Sequence, residues 1–118
     1  MKIKICGITE IETLNFLIEN GVDYAGFIFH ENSPRNVTHA FINEIRNIDF
    51  QETRPVCVFA NAEKSFVSSS LSYFENPIIQ FHGDESEDFC KLFDCEFWKA
   101  LRIKDSKSLE EMKHFKNA

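Results

Sequence analysis

Ile78-Ile79-Gln80-Phe81-His82-Gly83-Asp84 alternates polar and apolar side chains and then breaks at a glycine. Residues two apart on a strand share a face, so Gln80 and His82 point one way and Ile79 and Phe81 the other. The start of the chain repeats the pattern, with Lys4 and Cys6 set against Ile3 and Ile5. In Phe97-Trp98-Lys99-Ala100, Lys99 lies opposite Trp98 and Ala100. The expectation is a sheet with one apolar face and one face carrying Lys4, Cys6, Gln80, His82 and Lys99. An open sheet covered by helices on both sides would be apolar on both. A barrel interior with polar groups near its mouth fits the alternation better.

Working outward, five short runs rich in Ile, Val and Phe read as buried parallel strands: Ile3–Ile8, Tyr24–Phe29, Val56–Ala60, Ile78–His82 and Phe97–Ile103. Helically spaced apolar stripes fall between and after them. They are Ile11, Leu14, Leu17 and Ile18; Phe41, Ile42, Ile45 and Ile48; Phe66, Val67 and Leu71; Phe89, Leu92 and Phe93; and Leu109, Met112 and Phe115. Thr9 with Glu12 reads as a capping box before the first helix, and Asp84 with Glu87 as a looser cap before the fourth. Gly21 stands where the first helix should stop, and Pro34 and Pro77 fall in connections. Strand then helix, five times, predicts an α/β fold with a parallel sheet and right-handed crossovers. Two architectures answer to it: an open doubly wound sheet, or five parallel βα units of a (βα)₈ TIM barrel. Residues 1–118 are expected to form a single partial barrel domain.

Composition narrows the function. The formal charge is −6 with no basic cluster, which argues against nucleic acid as the main partner. No apolar run reaches the roughly 18 residues of a membrane span, and the start lacks the apolar core of a signal peptide. A cytoplasmic protein is expected. Cys6, Cys57, Cys90 and Cys95 form no C-x-x-C pair, and the histidines lack zinc-finger spacing, so no metal site is expected. Four isolated glycines provide no phosphate loop, and no nucleotide cofactor is expected.

Cys6 is the sharpest candidate for chemistry. It ends a strand just before the proposed helix cap, where a helix N-terminus favours the thiolate that serves as base or nucleophile. His82 also ends a strand, next to a glycine that permits a tight turn, and is suited to position or protonate a substrate. Arg35, in a loop after the second strand, suits bidentate capture of a carboxylate or phosphate. Against these stand the plainer readings of a buried structural cysteine, a satisfied structural histidine and a solvated arginine. Asn61 is expected to cap a turn, and Lys99 to occupy a polar layer inside the sheet without a reaction role.

Taken together, Lys4-Ile5-Cys6-Gly7-Ile8-Thr9, Gly26-Phe27-Ile28-Phe29 with Ser33-Pro34-Arg35, Val58-Phe59-Ala60-Asn61 and Gln80-Phe81-His82-Gly83-Asp84-Glu85 resemble the phosphoribosylanthranilate isomerase family in order and spacing. The resemblance implies a TIM barrel and an aldose–ketose isomerase, an intramolecular oxidoreductase of tryptophan biosynthesis. Its reaction is the Amadori rearrangement of N-(5-phosphoribosyl)anthranilate to 1-(2-carboxyphenylamino)-1-deoxyribulose 5-phosphate, with no metal or organic cofactor. An acid opens the furanose to a Schiff base, and a base removes the C2 proton to give an enolamine that tautomerises to the ketone. The resemblance makes Cys6 the general base, sets Arg35 against the anthranilate carboxylate, and puts Gln80 and His82 in the substrate pocket.

The chain departs from the family pattern at Cys57, usually glycine, at Ala60, usually valine, and at Phe81, usually leucine. The resemblance places the general-acid aspartate on a sixth strand and the phosphate-binding glycine loops on the last strands, so no residue here is expected to fill those roles. The alternative reading is an inactive fragment or scaffold of the family. Five units leave two sheet edges open, and self-association or a complementing chain is expected to cover them. A phospho-receiver module would also have five βα units and a lysine at the fifth strand. It would need an acidic pair at Cys6-Gly7 and an aspartate at Ala60-Asn61 to hold its ion, and none is there.

Overall fold

Five parallel strands pair strictly in chain order in the computed structural model, which describes residues 1–100. They are β1 (Lys4–Ile5), β2 (Tyr24–Ile28), β3 (Arg54–Phe59), β4 (Ile78–Phe81) and β5 (Phe97–Lys99). The intervening helices are α1 (Ile11–Glu19), α2 (His39–Ile45), α3 (Lys64–Leu71) and α4 (Glu87–Cys90). This order decides between the two architectures. A doubly wound sheet reverses direction at a switch point and so carries helices on both faces. Right-handed crossovers between successive neighbours put every helix on the same face and leave the other to line a concave interior.

The two faces bury different side chains. On the helix side, Ala25, Phe27 and Phe29 of β2 and its end, Cys57 and Phe59 of β3, and Ile79 and Phe81 of β4 pack with Leu14, Leu17, Ile18, Phe41, Ile42, Ile45 and Val67. Phenylalanine rings fill much of that layer, with Phe29 stacked on Phe59 at 5.2 Å and Phe27 tilted against Phe74 at 5.2 Å. Each such ring contributes about 1.5–3 kcal/mol through burial. On the other side Val56, Val58 and Ile78 form a second cluster, against which Cys6, Tyr24, Ile28 and Trp98 pack.

That inner face is strongly curled. The Tyr24 and Trp98 rings meet edge-on at 5.0 Å, although β2 and β5 are three strands apart. Lys4 of the edge strand β1 donates to Gln80 Oε1, and its ammonium lies 5.7 Å from the Trp98 ring. A flat sheet would separate β1 from β5 by about 19 Å. Side chains can close that gap only if the sheet bends toward a cylinder, as barrel closure requires.

Several local expectations change. The first helix is capped by Glu10 without a side-chain hydrogen bond, so Thr9 and Glu12 form no capping box. Before α4 the cap is Ser86, whose hydroxyl accepts from Phe89 N at 3.2 Å, and not Asp84. The helix begins at Glu87, so Ser86 and not Asp84 occupies the cap position from which a side-chain oxygen reaches the N3 amide. β1 is shorter than expected, because Gly7 and Ile8 both donate to Gly26 O as the chain leaves the ladder. Ile3 and Ile5 are not core: they are 49% and 40% exposed on the uncovered flank of β1. Leu92 is likewise exposed, lying past the end of α4. The expected end of the fifth strand and the stripe of Leu109, Met112 and Phe115 lie outside the described residues.

Candidate active site

The C-terminal ends of β1 and β2 bring Cys6 and Arg35 to one mouth of the curled sheet. Cys6 follows the last residue of β1 and is half-buried. It sits in space that Gly26 leaves free: a Cβ on Gly26 would stand 2.9 Å from Cys6 Sγ and 3.1 Å from its Cα. Gly7 has φ of 80°, a left-handed conformation that turns the chain out of β1 and that other residues rarely adopt. Its bare Cα lets the Arg35 side chain lie against it, since a Cβ there would approach Arg35 Nη1 to 2.6 Å and Cζ to 2.8 Å.

The loop carrying Arg35 is pinned at both ends. His30 N donates to Asn36 Oδ1 at 2.8 Å, Val37 N to Ile28 O at 2.9 Å, and Arg35 N to Ser33 Oγ at 3.2 Å. An exposed guanidinium is thereby held on a short, internally bonded loop beside Cys6's own turn. The expected strand-end position of Cys6 stands, but the helix that follows begins one residue later than expected and carries Glu10 and Glu12 at its start.

Across the mouth, the β3 and β4 ends interlock. His82 N donates to Phe59 O at 2.8 Å, and the His82 side chain is exposed. Asn61 takes a left-handed φ of 52°, and its Oδ1 accepts from Asp84 N at 2.8 Å. It ties one loop to the next where a local turn cap was expected. Gly83 permits the approach, because a Cβ there would lie 2.6 Å from Asn61 Oδ1. Gln80 sits lower, its side chain turned to the interior and its carbonyl oxygen accepting from Lys4.

Lys99 corrects the face assignment. Register pairs Gln80 with Trp98 and Phe81 with Lys99, so Trp98 faces the interior and Lys99 shares the side of Phe81 and Phe97. The Lys99 ammonium reaches the β4 loop, pairing with Glu85 Oε1 at 2.9 Å and donating to Gly83 O. Both side chains are 3% exposed. Glu85 also accepts from Asn61 N at 2.7 Å and Gly83 N at 2.9 Å. Sequence reasoning gave this pair no role. The available signal was a lysine inside an apolar strand, which must find an anion when buried.

Environment disfavours the thiolate at the other three cysteines, of which Cys57 and Cys90 are buried and Cys95 half-buried. Burial pushes the Cys57 thiol far up, with Cys95 adding to it. Burial pushes Cys90 up to about 11, against the opposing pull of Lys99. Cys95 is raised by burial and by Asp94. Among the described residues no three His, Cys, Asp or Glu side chains gather as metal ligands would, and no helix is long and apolar enough to cross a membrane. A cavity of about 600 Å³ opens at the opposite end, beside Arg46, Arg54, Tyr73 and Asn76. It lies at the strand N-termini, the stabilising face of a βα barrel.

Fold and mouth together define a βα-barrel protein of the type that places chemistry at the C-terminal ends of its strands. The family model for N-(5'-phosphoribosyl)anthranilate (PRA) isomerase matches residues 3–118, and the chain belongs to that family. It is 38% identical over 117 residues to the N-(5'-phosphoribosyl)anthranilate isomerase of Geotalea uraniireducens, covering 99% of this chain and 58% of the relative. Against that of Geobacter sulfurreducens it is 35% identical over 118 residues, with the same 58% of the relative covered. Among solved structures, monomers generated from the dimeric phosphoribosylanthranilate isomerase of Thermotoga maritima superpose with a TM-score of 0.83 at 30% identity, covering 98% of this chain and 59% of that one. A phosphoribosyl anthranilate isomerase in complex with reduced 1-(o-carboxyphenylamino)-1-deoxyribulose 5-phosphate superposes with a TM-score of 0.82 at 28% identity, covering 95% and 59%. The chain thus spans a little under three fifths of the length of the curated relatives it matches.

Proposed function

We propose that this chain carries the base and the carboxylate-binding side of a phosphoribosylanthranilate isomerase site, in a single unit spanning residues 1–118. The observation that carries the reading is that Arg35 packs on Gly7, the residue next to Cys6, while Cys6 itself sits against Gly26 at the strand C-termini. In the rearrangement, Cys6 removes the C2 proton of the ring-opened Schiff base, and the electrons move into the enolamine that becomes the ketone. Arg35 pairs with the anthranilate carboxylate and orients C2 toward Cys6 Sγ, the kind of placement that lowers a barrier through geometry. His82 meets the substrate across the mouth. Gln80, with its carbonyl engaged by Lys4, has its amide NH₂ to offer from below. The acid step is assigned to no residue of this chain. The substrate is a soluble small molecule, and we infer a cytoplasmic enzyme.

The test is turnover of N-(5-phosphoribosyl)anthranilate by this chain, followed as loss of substrate fluorescence, with Cys6→Ala as control. Cys6-dependent turnover supports the reading. Failure to turn over the substrate, together with failure to bind the reduced product analogue, overturns it for this chain alone.

A second reading rests on a separate observation: Ile3, Ile5 and Phe16 of the first βα unit are 49%, 40% and 63% exposed beside the unpaired flank of β1. Such an edge is a template for another strand and helix. On this reading the chain is inactive until a second copy or complementing βα units cover that edge. Sedimentation across a concentration series distinguishes the two, since a monomer at all concentrations removes self-association.

A further inference from the structure

We propose that the buried Glu85–Lys99 ion pair is a positioning pair that holds His82 and its loop at the mouth. The inference deepens the reading of His82 as a substrate-binding residue and rests on that reading for its functional meaning.

The His82 side chain is exposed, so its place depends on the backbone that carries it. On one side, His82 N is held by Phe59 O. On the other, the pair grips both polar groups of the next residue: Gly83 N donates to Glu85 Oε1, and Gly83 O accepts from Lys99 Nζ. The following amide, Asp84 N, is held by Asn61, and Asn61 N is in turn held by Glu85 Oε2. One carboxylate and one ammonium therefore join the ends of β3, β4 and β5 around the His82 turn.

Charge makes the arrangement stiff. With side chains only 3% exposed, neither ion is tolerable without the other. Neutralising Lys99 strands the Glu85 carboxylate in a buried place and drives it to swing toward water, which releases Gly83 N. The ion pair at the opposite end of the strands, Arg54 with Glu96, is 3.5 Å long with side chains 29% and 52% exposed, and water screens it. The Glu85–Lys99 pair is turned to the mouth.

The experiment compares backbone amide and His82 ring NMR signals of the full chain with Lys99→Met, Glu85→Gln and Lys99→Arg, without ligand. In Lys99→Met and Glu85→Gln the His82, Gly83 and Asp84 signals are expected to shift or split while Gly26 and Ile28 stay in place, and Lys99→Arg should recover part of the change. Binding of the reduced product analogue should weaken about tenfold or more in Lys99→Met, since a displaced contact residue costs heavily. Unmoved His82 and Gly83 signals in both neutral variants overturn the proposal. So does a general loss of dispersion in which Gly26 and Ile28 move equally, because the pair then serves stability alone. If wild-type chain does not bind the analogue, the isomerase reading of this chain fails, and the ligand-free spectra still decide the positioning role.

Discussion

On the β1–β2 side of the mouth, Cys6 and Arg35 keep their places because two glycines leave room for them. On the β3–β5 side, the His82 turn keeps its place because a buried carboxylate and ammonium bind the backbone around it. The first arrangement is steric and local. Its cost falls on whatever side chain intrudes, and among the described residues it leaves the thiol and guanidinium without a hydrogen-bonding or ionic partner. The second is electrostatic and joins residues distant in the chain, so it fails as a unit when one charge is removed. The proposed site thus has one adaptable side and one rigid side.

Thiol reactivity gives the largest expected contrast between Cys6 and the core. Iodoacetamide at pH 8 should modify Cys6 long before Cys57 and Cys90, because those two are fully buried and react only when the sheet opens. If opening costs about 5 kcal/mol, that protection amounts to a factor of roughly 10³–10⁴. Peptide mass mapping over time checks it, and early labelling of Cys57 would contradict the packing described. The same burial predicts a pH effect. These thiols stay protonated in the fold where an unfolded chain ionises near 9, so stability is fully present below pH 9. It should decline as pH rises from 9 through about 11, where Cys90 ionises, as urea midpoints across that range would record.

Next in size is the charged side. Lys99→Met should destabilise the fold by about 3–5 kcal/mol, the usual consequence of stranding one member of a buried pair. Removing both charges with Glu85→Gln and Lys99→Met together should cost less than the sum of the single changes. Additive losses in denaturant melts would break the comparison by showing that the two residues act apart.

On the steric side, Gly26→Ala should cost about 1–3 kcal/mol, because the new methyl meets both Cys6 Sγ and the Cys6 backbone. It should also displace the thiol and slow or redirect its alkylation. A thermal melt and a labelling rate read the two effects separately, and an unchanged Cys6 rate would show that Gly26 does not position it.

The smallest effect belongs to the floor beneath both sides. Lys4→Met removes a cation 5.7 Å from the Trp98 ring, worth about 0.5–1 kcal/mol. Trp98 is the chain's single tryptophan, so its emission should shift without a large change in stability. No shift would mean that the edges of the sheet are not joined across the interior.

The steric side could be read from the sequence because its evidence is contiguous. Cys6-Gly7 and Ser33-Pro34-Arg35 are short motifs at strand ends, and strand alternation alone puts Cys6 on the inner face. The charged side could not, for a different reason in each residue. Lys99 falls in a three-residue strand whose direction the sequence leaves ambiguous, and only pairing to Phe81 places it on the helix side. Glu85 follows His82-Gly83-Asp84 in what reads as an ordinary polar turn, and nothing local marks it as buried. The caps failed in the same way. Thr9 and Asp84 have the right chemistry, but their helices begin later, with Glu10 and Ser86 at the cap positions.

From the amino-acid sequence alone came the five parallel strands, the four helices between them with their apolar faces, and the strand-end positions of Cys6 and His82. Those depend on periodicity and short spacing, which a linear chain carries in full. Tertiary structure decided that the strands run in chain order and curl into part of a barrel. It also decided which face Lys99 takes and that Glu85 is buried against it. These depend on contacts between residues 14 to 76 positions apart, and the balance of desolvation against pairing there exists only once the sheet has closed around them.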